Sequence, residues 1–438
     1  MKYFYKTLFR YLSVYIRPTD KVAEIDPRSG ILSDLFKNIK FYFFNPNLTN
    51  NKSKEDLFQD LESIRKYEPD YILLVGNIHY ERDIQATFKK LHQVCSSHTR
   101  LVVIHYSSLW KPMIRLATIL GLRRKTPEQN WITREDIAGI AYMADFEPVI
   151  EDGKIIIPVY IPIISNLINR YIAPLPFFRL FCMVNIFVAR PIFNAKPKEL
   201  SVSIIVPARN EEGNIEDIVK RIPKMGANDE LIFIEGNSTD KTWQKIEEIY
   251  IKYKGQKNII IAKQEGKGKG DAVRKGFAMA SKDILMILDA DMTVPPESLP
   301  LFYEAIRSDK GEFINGSRLV YPMENKAMRL LNMIVNKFFA VAFSYVMGQK
   351  LKDTLCGTKV ITKENYLKIS FNRSYFGDFD PFGDFDLIFG AARLCLKIRE
   401  IPVRYTGRTY GVTNINRWRD GSLLLKMLIY ASKMIKFV

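Results

Sequence analysis

Ile284-Leu285-Met286-Ile287-Leu288 runs straight into Asp289-Ala290-Asp291. Five apolar residues without a charge read as a strand buried on both faces, with two carboxylates at its carboxyl end. Open α/β sheets bind their ligands at such ends. Aspartate oxygens are hard donors that suit Mg²⁺ or Mn²⁺ and, through the metal, a diphosphate. The D-x-D triplet alone is weak, because it often arises by chance.

The surroundings sharpen it. Ser203-Ile204-Ile205-Val206 reads as an earlier strand and is followed by Pro207, Ala208, Arg209, Asn210 and Glu211. Leu231-Ile232-Phe233-Ile234 is the next, followed by Glu235, Gly236, Asn237, Ser238, Thr239 and Asp240. Asp240 can cap a helix carrying Trp243, Ile246, Ile249 and Tyr250 on one side. After Ile259-Ile260-Ile261, the run Gly266-Lys267-Gly268-Lys269-Gly270-Asp271 opens another helix. Strand and helix alternate, so the sheet is parallel and these loops converge on one crevice. Each loop also has a plainer reading: Asn210-Glu211 as a helix cap, residues 238–240 as a turn, the Gly-Lys run as a solvated loop.

The chain has 438 residues, so two domains are expected. It is 47% hydrophobic and 26% charged, which excludes a disordered or collagen-like chain. The net charge of +17 points to an anionic partner: a nucleic acid, a membrane surface or a phosphorylated ligand. Cys95, Cys182, Cys356 and Cys395 form no C-x-x-C pair, so a disulfide framework and a zinc-thiolate site are not expected. His79, His92, His98 and His105 all lie in the first quarter, so chemistry in the second half has no local histidine base. Lys2, Lys6 and Arg10 interrupt any signal-peptide core, and no run reaches the roughly 18 apolar residues of a membrane span.

Residues 201–420 resemble the family 2 glycosyltransferases of GT-A fold, above all the dolichyl-phosphate-mannose-synthase-like branch. The resemblance implies an inverting transferase that takes a sugar from a nucleotide-diphospho-sugar donor with Mg²⁺ or Mn²⁺. It implies that Pro207, Ala208, Arg209, Asn210 and Glu211 line the nucleoside pocket, with Glu235 and Asn237 beside them. Glu235 stands where the family usually has Asp, and Gly236 where it has a second acid, which leaves the base open. Gly268, Lys269, Gly270 and Asp271 match the loop over the nucleotide; Asp289, Ala290 and Asp291 match the metal-binding triplet. On the acceptor side, Arg318, Arg329 and Arg408 would neutralise phosphate, since guanidinium pairs two oxygens at once. Asp384, then Asp386, and also Asp353 are the candidate catalytic carboxylates. A hydroxyl acceptor would need one as base; a lipid phosphate is already anionic and would not.

Val22-Ala23-Glu24-Ile25-Asp26-Pro27-Arg28-Ser29-Gly30 resembles the first motif of class I S-adenosylmethionine-dependent methyltransferases. The family's glycines are replaced by Asp26 and Arg28, and the acid expected after the second strand is missing at Phe43-Phe44-Asn45. Backbone must approach that cofactor closely, so S-adenosylmethionine is not expected to bind. The strands read here are Val22–Ile25, Tyr71–Val75 and Leu101–Ile104, followed by a hairpin turning at Asp152-Gly153.

The expected architecture is therefore α/β in two domains. Residues 1–165 form a Rossmann-like, methyltransferase-type domain that is inactive. Residues 166–199 form an apolar, proline-containing connector or a membrane-facing patch. Residues 200–438 form the GT-A nucleotide-diphospho-sugar transferase domain. Residues 326–349 read as a pair of amphipathic interfacial helices, and the tail 423–437 is basic and apolar. The favoured acceptor is polyprenyl phosphate, with a glycan as the other option, at the cytoplasmic face of a membrane on which the protein is peripheral. Two other readings remain: a bifunctional methyl- and glycosyltransferase acting on a cell-surface glycan, and a non-catalytic basic binding protein. Nucleic acid is not an expected partner.

Overall fold

The computed structural model describes residues 2–26, 31–44, 54–121, 130–193, 197, 199–322, 330–371, 373, 383, 385–408, 410, 411 and 417–438. The chain divides into two compact units, Met1–Asn194 with Lys433–Val438, and Ala195–Ser432.

The first unit is built on six strands: β1 (Lys21–Ile25), β2 (Lys40–Phe44), β3 (Tyr71–Val75), β4 (Arg100–Tyr106), β5 (Phe146–Ile155) and β6 (Val184–Pro191). Their order is β2-β1-β3-β4-β6-β5. β2, β1, β3 and β4 are parallel, and β6 runs antiparallel to both β4 and β5. The expected hairpin at Asp152-Gly153 is instead one continuous strand, β5, with irregular register on either side of that pair. Gly153 is there for space rather than for a turn: a Cβ would lie 2.5 Å from the Arg179 carbonyl oxygen and 2.6 Å from the Arg134 guanidinium.

The stretch expected as a connector, 166–199, contains β6. Every residue of that strand is buried, and it is hydrogen-bonded on both edges. Its apolar composition follows from that position between two strands. Residues 433–438 also belong to this unit rather than to the C-terminal domain. There Asp152, 4% exposed, lies 3.0 Å from Lys154 Nζ and 2.5 Å from Lys436 Nζ. Burial works to raise the Asp152 carboxyl, but the two ammoniums hold it below the usual carboxylate range.

Glu24 on β1 is 2% exposed, and among the described residues no donor reaches its Oε2. Burial pushes its carboxyl from 4.5 up to about 7. The native state thus holds that proton more tightly than the unfolded chain does. Stability of the unit is full below about 4.5 and falls as pH rises towards 7. Glu24→Gln is expected to stabilise the first unit by about 2 kcal/mol at pH 8 and by almost nothing at pH 4, measured by urea unfolding at both values.

The second unit is a seven-stranded sheet: β7 (Val202–Ala208), β8 (Glu230–Glu235), β9 (Ile259–Lys263), β10 (Ile284–Ile287), β11 (Phe313–Ser317), β12 (Lys359–Thr362) and β13 (Ile398–Pro402). The order is β13-β11-β12-β10-β7-β8-β9, with β12 antiparallel to its neighbours β10 and β11. β10, β7, β8 and β9 are parallel, and their Ile, Leu and Val runs form the core with Ile215, Ile218, Val219, Ile246 and Ile249 from the helices. Over 326–349, where a pair of interfacial helices is expected, the described residues form one helix, Leu330–Met347. Phe339, Ala340, Phe343, Val346 and Met347 face inward, while Ile334, Phe338 and Val341 are exposed. It packs on the helix Arg417–Ala431. Among the described residues, no helix is long and apolar enough to cross a membrane.

Candidate active site

The crevice of the second unit is made by the loops that leave β7, β8 and β10. Asn210, Asn237 and Met292, one in each loop, adopt left-handed backbone with φ of 56°, 59° and 50°. Such strain persists only where surrounding bonds over-determine it. The Asn210 N–H donates to Ser238 Oγ at 3.0 Å, and its Oδ1 accepts from the Thr239 N–H at 2.8 Å. The Ser238 N–H donates to the Glu235 carboxylate at 2.5 Å. The Glu211 N–H donates to Thr242 Oγ1 at 2.9 Å, whose hydroxyl donates to Asp240 at 2.5 Å. The first two loops are thereby laced together. Asp240 also accepts from the Thr242 N–H, so it serves the helix Thr242–Lys252 from two residues upstream.

Pro207 is half-buried, Ala208 is buried and Arg209 is exposed at the rim. The Gly236 N–H donates to the Ala208 carbonyl at 2.8 Å. A Cβ at Gly236 would lie 3.1 Å from Arg209 Cβ, so the loop sits too low on β7 for an easy second acid. Gly268, with φ 84°, starts the helix Lys269–Met279. Asp271 accepts the Gly266 N–H at 2.9 Å, and Asn237 Nδ2 donates to the Gly266 carbonyl at 3.3 Å. Asp271 and Asn237 therefore hold the glycine loop against the loop after β8.

The two carboxylates after β10 each face a cation. Asp289 Oδ1 is 2.7 Å from Lys269 Nζ. Burial works to raise the Asp289 carboxyl, but Lys269, Lys359 and Arg318 outweigh it and hold it down. Gly357 leaves room for this pair: a Cβ there would overlap Asp289 Oδ2 and lie 2.6 Å from Lys269 Nζ. Asp291 Oδ2 is 2.7 Å from Arg408, whose other nitrogen is 3.5 Å from Glu211. Asp291 Oδ1 accepts the Thr293 N–H at 3.1 Å and its hydroxyl at 2.9 Å. Burial, then the Asp291 charge, push the Glu211 carboxyl up to about 7 against the pull of Arg408. Ala290 between the aspartates is buried.

A second cluster corrects two assignments. Arg318 and Asp353 form a two-pronged pair at 2.6 and 2.8 Å, with Asp353 fully buried. Asp353 also accepts the Arg318 N–H, the Leu355 N–H and Asn336 Nδ2. Burial opposes ionisation, yet Arg318 holds its carboxyl at about 2. With five donors on it, Asp353 has no capacity left for a base, and Arg318 is committed to Asp353 and to the Tyr405 ring 5.2 Å away. Asp386 opens the helix Phe385–Arg393 and pairs with Arg373 Nε at 2.8 Å. Asp384 and Arg329 lie outside the described residues. Gly383 has φ 72° and a Cβ there would overlap Gly270 Cα, so Gly383 itself lies against the start of the helix Lys269–Met279.

Lys359 escaped the sequence reading as a single residue. It is 1% exposed on β12, donates to the Cys356 carbonyl and adds to the positive potential at Asp289. Nothing in sequence separates such an ammonium from a surface lysine. Among the described residues, no group of three or more His, Cys, Asp or Glu side chains could hold a metal. Two adjacent carboxylates still suit a Mg²⁺-type ion that takes its remaining ligands from phosphate and water.

Residues 203–369 match the family Glycosyl transferase family 2. The match includes Asp289, Asp291, Lys269 and the Arg318–Asp353 pair, and ends before Asp386 and Arg408. Over 123 residues the chain is 37% identical to the dolichol-phosphate mannosyltransferase of Pyrococcus furiosus, covering 28% of this chain and 34% of that one. It is 26% identical to glycosyltransferase AglJ of Haloferax volcanii over 54% of this chain and 74% of that one. It is 24% identical to the undecaprenyl-phosphate 4-deoxy-4-formamido-L-arabinose transferase of Edwardsiella ictaluri, over 48% and 61%. The chain thus spans about a third of the Pyrococcus relative's length. Glucosyl-3-phosphoglycerate synthase of Mycobacterium tuberculosis superposes with a TM-score of 0.40 at 17% identity, over 54% of this chain and 80% of that structure.

Proposed function

We propose, on the premise that residues 203–369 form a glycosyltransferase family 2 domain, that the second unit is an inverting sugar transferase of GT-A type. The donor is a nucleotide-diphospho-sugar and the acceptor a polyprenyl phosphate. The observation that carries this reading is the carboxylate pair at the end of β10 with a cation on each member, Lys269 on Asp289 and Arg408 on Asp291. A diphosphate seated there meets two cations already in place, and Asp289 and Asp291 would hold a divalent ion against it. When bound, Mg²⁺ or Mn²⁺ would neutralise charge on the departing diphosphate. The names of the Pyrococcus and Edwardsiella relatives support a lipid-phosphate acceptor.

The protein's own part is then positional and electrostatic. The loops after β7 and β8 hold the nucleoside. Lys269 and Arg408 stabilise the diphosphate as the anomeric C–O bond to it breaks. An acceptor phosphate oxygen attacks that carbon from the opposite face and forms the new C–O bond. This oxygen is already anionic, which fits a site whose unit contains no histidine and whose Asp353 is saturated.

The first unit is, in this proposal, a methyltransferase-like scaffold that no longer binds S-adenosylmethionine. Its parallel sheet with one reversed strand beside the edge supports the likeness. Asp26 keeps a left-handed φ of 47° where the motif normally has glycine, so the conformation survives but the bare backbone does not. Asn77 Nδ2 donates to the Ile25 carbonyl at 2.5 Å and holds the end of β1.

The test is transfer from UDP-, GDP- and dTDP-sugars to a short polyprenyl phosphate in detergent, with Mn²⁺ and then with chelator. A lipid-linked product that disappears with chelator is expected, and titration of the same preparation with S-adenosylmethionine should show no saturable binding. Metal-dependent donor hydrolysis without lipid product would move the acceptor to a hydroxyl. Saturable S-adenosylmethionine binding would overturn the scaffold reading.

A further inference from the structure

The first unit carries an apolar surface that its own core does not use. The helix Lys111–Ile119 contains no buried residue, yet Met113, Leu116 and Ile119 lie on it, with exposures of 58%, 48% and 81%. A helix that buries nothing has no reason of its own to be apolar. Its start is tied to the segment 159–181, because Trp110 Nε1 donates to the Phe181 carbonyl at 2.9 Å. That segment is exposed in turn, with Ile163 at 79%, Leu167 at 49% and Phe177 at 64%. Ile163 stands there with a left-handed φ of 63°, unusual for a β-branched residue. Two neighbouring segments thus present large apolar side chains to solvent.

Their charges are of one sign. Between Asp83 and Glu128, and again between Asp152 and Glu199, the chain has no acidic residue, although it contains 48 overall. Lys111, Arg115, Arg170 and Arg179 lie among the apolar groups, and Arg115 and Arg170 are exposed. The Arg170 guanidinium lies 5.5 Å from the Tyr171 ring centre, an amphipathic pairing typical of an interfacial depth. A protein partner of mixed charge would not require the exclusion of every carboxylate over two separate stretches. A surface uniformly negative and apolar just beneath would.

We propose that this face of the first unit, residues 107–120 with 159–181, docks on the surface of a bilayer rich in anionic lipid. The apolar side chains enter the headgroup–acyl boundary, and the four cations meet lipid phosphates. The surface does not depend on what the second unit transfers. It gives the scaffold unit a task, which is to hold the chain at a membrane.

The test is flotation of the full chain with vesicles of phosphatidylcholine alone and of phosphatidylcholine with phosphatidylglycerol. Wild type should float with the anionic vesicles, weakly with the neutral ones, and less as salt rises. Ile163→Glu with Phe177→Glu should reduce binding about tenfold or more, and Arg115→Glu with Arg170→Glu about tenfold on anionic vesicles only. Urea unfolding of each variant, unchanged from wild type, shows that these exposed positions leave the fold intact. Flotation of both double variants like wild type would overturn the proposal. So would absence of wild-type binding, or a concentration-dependent dimer that Phe177→Glu dissolves, since the face would then meet a second copy. Transfer to a detergent-dispersed acceptor is read separately, so failure of docking and failure of the transferase reading are distinguishable.

Discussion

Asp291→Asn is expected to lower sugar transfer about a thousandfold, the scale on which removal of a charge-stabilising group acts. Asparagine has the shape of aspartate and keeps an oxygen for the Thr293 N–H and hydroxyl, so the loop after β10 should survive. What is lost is the negative charge. One of the two oxygen ligands proposed for a divalent ion disappears, and Arg408 loses the partner 2.7 Å away. The loss should fall on kcat and on donor affinity in Mn²⁺. Unfolding in urea should stay at the wild-type midpoint. A second signature follows from Glu211, whose carboxyl is pushed up to about 7 by burial and then by Asp291. In the variant that repulsion is gone and Arg408 is left to Glu211, so the Glu211 carboxyl titrates at lower pH, which a pH titration of the two proteins checks. Transfer within about threefold of wild type would show that Asp291 neither holds a metal nor positions Arg408 for the diphosphate.

Asp353→Ala should act on the fold instead, destabilising the second unit by about 3–5 kcal/mol. It leaves the Arg318 guanidinium buried without its carboxylate, and strands Asn336 Nδ2 and the Leu355 N–H. The double replacement Arg318→Met with Asp353→Leu removes both charges and should cost far less than the single one. In wild type the Asp353 carboxyl is held at about 2 against 3.8 in the unfolded chain. The folded pKa is the lower one, so the stabilisation is present in full above about 4 and is lost as pH falls towards 2. Urea unfolding across that range checks it. An Asp353→Ala variant as stable as wild type would mean that the pair is not a structural pin.

These two aspartates show how far sequence reading reaches. The loops after β7, β8 and β10 were legible because each follows a strand whose apolar run marks it as buried on both faces. The residues that line the crevice then lie within a few positions of a strand end. Arg318 was misassigned because its partner is 35 residues away, and an arginine bound to a buried carboxylate looks in sequence like one waiting for a phosphate. Asn336 misled in the same way. It lies in the stretch read as interfacial helices, whereas it is the inward donor to Asp353 on a helix with one face in the core. In the first unit β6 was hidden by its setting. An apolar strand flanked by a proline-containing apolar segment has no contrast by which to mark its ends. The reversal of β6 relative to β4 depends on pairing across about 80 residues, which local pattern does not carry.

The return of residues 433–438 to the first unit sets an order of events during synthesis. The six strands of that unit are made early, but Asp152 must wait for Lys436 until 284 further residues have been made, about 14–57 s at ordinary elongation rates. For that interval the nascent unit holds Asp152 against Lys154 alone. A chain released after Ser432 would therefore carry every residue of the second unit and a first unit still lacking its last cation.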